Sequence, residues 1–103
     1  MSRLLLIVKG PRYYSLGDEM TFFNWCKSIA AVETIGGSGQ DVHIQLKRQP
    51  SDRDLRELVG LFFRYNINMK PLVALRTKRN AKWFSENPDA FWHKKVFGSA
   101  NAD

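Results

Sequence analysis

The sequence predicts a single α+β domain, a small and mostly antiparallel three-stranded sheet with helices packed on it, in the order β-α-β-β-α-α-α. Three observations carry this. The chain has 103 residues, enough for one core and too few for two. Hydrophobic residues make up 44% of it and aromatics 13%, the composition of a packed globular chain. Two segments with a strand's period of two flank a glycine cluster, and amphipathic segments with a helix's period lie on either side of them.

Arg3 to Lys9 (RLLLIVK) is a nearly continuous apolar run closed by Gly10-Pro11, and reads as a central strand. The sequence by itself does not order the strands. Ser15 and Asp18 have capping-box spacing, with Asp in place of the usual Glu. A helix over residues 17–29 follows, with Phe22, Trp25, Cys26 and Ile29 on one stripe. Ala31 to Ile35 is β-branched and alternating, GGSG supplies turn positions, and Asp41 to Lys47 (DVHIQLK) alternates with Val42, Ile44 and Leu46 inward. Together these predict a hairpin.

Pro50-Ser51 with Asp54 repeats the cap-and-acid pattern ahead of a strongly amphipathic helix. Leu55, Leu58, Val59 and Phe62 form its buried stripe, with Arg53, Arg56, Glu57 and Arg64 outside. Gly60 in mid-helix costs about 1 kcal/mol relative to alanine and points to a close approach by a neighbouring element. Pro71 opens a third, less regular helix to Phe84. Asn87-Pro88 opens a fourth, which Gly98 closes. The domain is expected over residues 1–98, with 99–103 a frayed polar tail.

The apolar run LLLIV is too short for a signal-peptide core or a membrane span, and nothing else in the chain approaches eighteen consecutive apolar residues. Cys26 is the lone cysteine. Set among Phe23, Trp25 and Ile29, it reads as a buried, unreactive thiol, and it fits a reducing, cytoplasmic setting.

Chemistry finds little support. His43 and His93 are the only histidines, and neither belongs to a metal or nucleophile motif. GGSG lacks the lysine and helix start of a phosphate loop. No catalytic residue, metal, cofactor or small-molecule substrate is expected.

Charge is more informative. The net charge is +6, and residues 70–95 hold seven basic groups against two acidic ones, a net +5. A field localised in this way favours an anionic partner, although surplus lysine also serves solubility. On a helical wheel over 88–97, Trp92 and Val96 share the core side, while Lys94 and Lys95 flank Phe91 at about 60° and 40°. A phenylalanine between two lysines is hard to bury unless their ammonium groups snorkel around it. Arg76, Lys78, Arg79, Lys82, Phe91, Lys94 and Lys95 are therefore the expected partner-binding residues. Single-stranded RNA or another nucleic acid would suit exposed rings among cations, yet the strands carry no aromatic platform and no GxxG loop joins the helices. An acidic protein surface suits them equally well.

The stretches LIVKGPRYYSLGDEMTFFNWC (6–26), DLRELVGLFFRYNINMK (54–70), KWF (82–84) and AFWHKKVFG (90–98) resemble the small immunity proteins of contact-dependent growth inhibition and related polymorphic toxin systems. The resemblance implies an antitoxin without a reaction of its own. It would bind and neutralise the C-terminal toxin domain of a cognate effector in the bacterial cytoplasm, the toxin being an RNase or tRNase. Immunity proteins for nucleases are often acidic, whereas this chain is basic. That departure argues against phosphate mimicry and for a toxin with an acidic docking surface. A basic nucleic-acid-binding module is the alternative.

Overall fold

The computed structural model describes residues 4–98; the predicted start of the first strand at Arg3 and the tail after Gly98 lie outside the described residues. It is an α+β domain: β1 (Leu4–Lys9), α1 (Leu16–Ser28), β2 (Val32–Ser38), β3 (Asp41–Leu46), α2 (Asp52–Arg64), a 3-10 helix (Lys70–Leu75), α3 (Ala81–Phe84) and α4 (His93–Phe97). The sheet order is β1-β3-β2 and both pairings are antiparallel. Hence β1 and β2 run parallel to one another on either side of β3, and α1 is the crossover between them.

The central strand is thus β3 and not the first strand. Its alternation is the expected one, with Val42, Ile44 and Leu46 buried. In β1 only Leu6 and Val8 enter the core, while Leu5 and Ile7 are about half exposed on the opposite face. A continuous apolar run marks a strand covered on both faces. Here the second face of an edge strand is simply apolar and uncovered.

The hairpin forms two residues later than expected. Gly36 and Gly37 belong to β2 and pair with His43 and Val42, and the turn is Gly39-Gln40. Gly39 has φ +62°, a conformation glycine adopts without a Cβ penalty. An irregularity between Val32 and Thr34 shifts the register, so the alternation expected over residues 31–35 is broken at Glu33.

Both caps form, with a twist. Ser15 Oγ accepts the Asp18 N–H and Ser51 Oγ accepts the Asp54 N–H. The acids do not close the box in the standard way. Asp18 reaches back to the Tyr14 N–H. Asp54 turns inward and accepts the Ala31 N–H at 3.0 Å. Helix α2 ends in a Schellman arrangement, with Asn66 at φ 56°, its N–H on Phe63 O and the Ile67 N–H on Phe62 O.

Gly60 faces Trp25, but a Cβ built there would meet the indole at 3.8 Å, an ordinary contact. The close approach expected from the sequence is absent. Gly60→Ala should therefore stabilise the domain by about 0.5–1 kcal/mol through helix propensity, read as a raised urea midpoint. A lowered midpoint would mean that Trp25 cannot yield.

The third helix breaks in two because Asn80 competes for the backbone. Its side chain accepts the Thr77 N–H and donates to Leu75 O, and Thr77 Oγ1 accepts the Asn80 N–H. The fourth helix is short for a related reason. Residues 88–92 form turns while the Trp92 indole donates to Phe84 O and His93 Nε2 donates to Ser85 O. These bonds fold the segment back onto α3.

Candidate surface for partner binding

The seven residues expected at a partner face are all exposed, and the fold distributes them. Phe91 is 55% exposed and packs edge-on against Phe63 of α2, ring centroids 4.7 Å apart. Lys95 Nζ stands 5.8 Å from the Phe63 ring centre. Phe63 is itself 43% exposed. Phe91 and Lys95 are thus brought together, through a residue that the sequence reading did not single out. The signal for it was available: Phe63 falls off the 55/58/59/62 stripe by one position.

Beside this pair lies a groove of about 260 Å³ lined by Phe62, Phe63, Asn66, Ile67, Met69 and Lys95, among others. The Schellman turn fixes its wall, since Asn66 and Ile67 are held to the end of α2. Trp92 continues the ring contacts inward, 5.0 Å from Phe91 and 5.8 Å from Trp83. As expected, Val96 is buried and Trp92 packs on the core.

The remaining cations go elsewhere. Arg76 Nε donates to Ser85 Oγ. Arg79 lines a separate groove with Arg48 and Arg53. Lys78 and Lys82 lie on the turn before α3 and on α3 itself, and Lys94 lies on α4. Arg56 of α2 was also overlooked: its guanidinium stacks 4.0 Å over the Trp83 ring. Aromatic and cationic groups therefore alternate along one edge of α2, from Arg56 with Trp83 to Phe63 with Phe91 and Lys95.

The rings of this array meet edge-on, Phe63 with Phe91, Phe91 with Trp92 and Trp92 with Trp83, and Arg56 stacks over Trp83.

Elsewhere the surface offers less. Cys26 is fully buried, and burial pushes its thiol up to about 12, which leaves no thiolate near neutrality. A groove of about 690 Å³ mixes Lys9 and Arg12 with Glu19 and Asp41. Tyr13 lies in it with its hydroxyl covered and without a partner; burial first, then Glu19, Tyr65 and Asp18, pushes that phenol up to about 12. No group of three or more His, Cys, Asp or Glu side chains among the described residues could hold a metal ion. No helix among them is long and apolar enough to cross a membrane.

No family model matches this chain, and neither a curated protein nor a solved structure matches it.

Proposed function

We propose that this chain is an immunity protein: it binds the C-terminal toxin domain of a cognate contact-dependent inhibition effector, an RNase or tRNase, and neutralises it. The resemblance of residues 6–26, 54–70, 82–84 and 90–98 to such proteins motivates the reading. The observation that carries it is the exposed Phe63–Phe91 pair with Lys95 above it. Two adjacent half-exposed rings under an ammonium group form a hot-spot geometry, an apolar anchor with a cationic rim. The chain's net charge of +6, with Lys95 at the pair, favours a partner whose docking surface is acidic. On this reading the chain performs no reaction and works in the cytoplasm. The acidic surface it meets lies outside the toxin's substrate channel, because a channel that holds RNA is itself basic.

The test is co-expression with the C-terminal domain of the effector encoded beside it. Wild-type protein should restore growth. Phe91→Ala should weaken the complex by about 2 kcal/mol, roughly thirtyfold, and Lys95→Glu should weaken it and flatten its salt dependence. Neither change should move the melting temperature by more than a few degrees, since both side chains are exposed. Cells that die despite the wild-type protein would end the proposal.

A further inference from the structure

A second surface, separate from the Phe63–Phe91 pair, is built from arginines. Four arginines among the described residues make no hydrogen bond, ion pair or ring contact: Arg12, Arg48, Arg53 and Arg79. Three of these four line one groove of about 510 Å³, within the size range of small-ligand sites. They arrive from three different segments: Arg48 from the connection after β3, Arg53 from the first turn of α2, and Arg79 from the turn ahead of α3.

The frame that holds them is hydrogen-bonded within itself. Gln49 Nε2 donates to Leu75 O at 2.8 Å. Asn80 is buried, fixes the Thr77 turn and donates to the same carbonyl. Ser51 Oγ is occupied by the Asp54 N–H. These bonds fix the wall, and the guanidinium groups are its charged donors. Asp52 also lines the groove and offsets one of the three positive charges.

Three guanidinium groups set against one carboxylate leave the groove with a net positive charge, and an anion relieves the repulsion among them. Each guanidinium presents a planar fork of N–H donors matched to phosphate oxygens. Three forks around one groove offer more donors than the two oxygens of a single carboxylate can fill. No aromatic side chain lines the groove, so recognition falls on the phosphates and not on a base.

We infer that the Arg48–Arg53–Arg79 groove is a phosphate-binding site that takes a chain of two or more phosphoryl groups, as in inorganic polyphosphate, a nucleotide, or the backbone of a nucleic acid. Its centre lies at the start of α2, and Arg53 and Phe63 are ten residues apart, about 15 Å along the helix axis. The site and the aromatic pair are thus open to independent tests.

Isothermal titration of the free protein at low salt, with tripolyphosphate, a nucleoside triphosphate, a single-stranded oligonucleotide and polyglutamate in parallel, decides the matter. Tripolyphosphate should bind, with affinity falling as salt rises. Arg79→Gln should weaken it about tenfold, and the triple R48Q/R53Q/R79Q variant should abolish it. The single variant keeps the test readable if the triple one fails to fold. Phe91→Ala and K94Q/K95Q should leave binding unchanged. Equal affinity for the triphosphate and tripolyphosphate would identify a small polyphosphate as the ligand, and a far tighter oligonucleotide would identify a nucleic-acid backbone; either outcome supports the site. Absence of phosphate binding, polyglutamate binding as tight as tripolyphosphate, or binding undiminished in R79Q would overturn it. None of these overturning results touches the docking role of Phe91, which the co-expression assay reads separately.

Discussion

Phe84→Ala is expected to destabilise the domain by about 3–5 kcal/mol, the largest effect of any single change considered. Phe84 is fully buried and closes α3 against Phe97 of α4 at 5.0 Å, with the neighbouring Trp83 ring at 5.5 Å. Its carbonyl also accepts the Trp92 indole N–H. Helix α4 has five residues and α3 four, far below the length at which a helix persists alone. Packing on Phe84, together with burial of Val96, therefore holds the C-terminal segment in place. A domain of this size has about 5–15 kcal/mol of stability in all, so the loss is a large share, equivalent to a fall of about 15 °C or more in Tm. The change leaves a cavity where α3, α4 and the core meet, and Phe91 and Lys95 should lose their fixed position against Phe63. Tryptophan fluorescence should red-shift together with the loss of stability, since Trp83 and Trp92 report on this corner. A Tm within 3 °C of wild type would show that the C-terminal segment is anchored by something else.

How much of this was legible in the sequence depends on the range of the interaction concerned. The amphipathic stripes of α1 and α2, the two serine caps and the alternation of β3 are local patterns, and each was visible in the residues that make it. The aromatic pair needed one long-range fact. Phe91 could be placed outside the core by its lysine neighbours, but the ring it rests on belongs to α2, and nothing near residue 91 names residue 63. The same applies to Arg79. It was expected to serve the C-terminal patch because it is close in sequence, whereas the turn held by Asn80 carries it to the start of α2 beside Arg48 and Arg53. The two glycines taken into β2 show the opposite failure. Their local preference is for a turn, and pairing with β3 across the hairpin overrides it. A side-chain amide decided the place of Arg79, and a backbone ladder that of the two glycines.

Asp54 combines both ranges, and its replacement is the second large effect. By spacing it belongs to the cap of α2, and its N–H does bind Ser51 Oγ at 3.2 Å. Its carboxylate, however, is buried and serves the fully buried Ala31, twenty-three positions earlier, by accepting its N–H at 3.0 Å. Ala31 O in turn accepts the Lys47 N–H at 2.9 Å. One carboxylate thus ties the start of α2 to the link between α1 and β2, and through it to the end of β3. In Asp54→Ala the Ala31 N–H stays buried without an acceptor, and the charge-assisted bond is lost with it. A cost of about 2–3 kcal/mol follows. Asp54→Asn retains an acceptor oxygen of the same reach and should recover at least half of that loss. Urea unfolding with an unchanged slope measures both, and the Ala31 amide should exchange with solvent faster in the alanine variant than in the asparagine one. If the two variants prove equally stable, the bond to Ala31 is not what Asp54 contributes. Its effect would then reduce to a negative charge at the start of α2, worth about 0.3–1 kcal/mol.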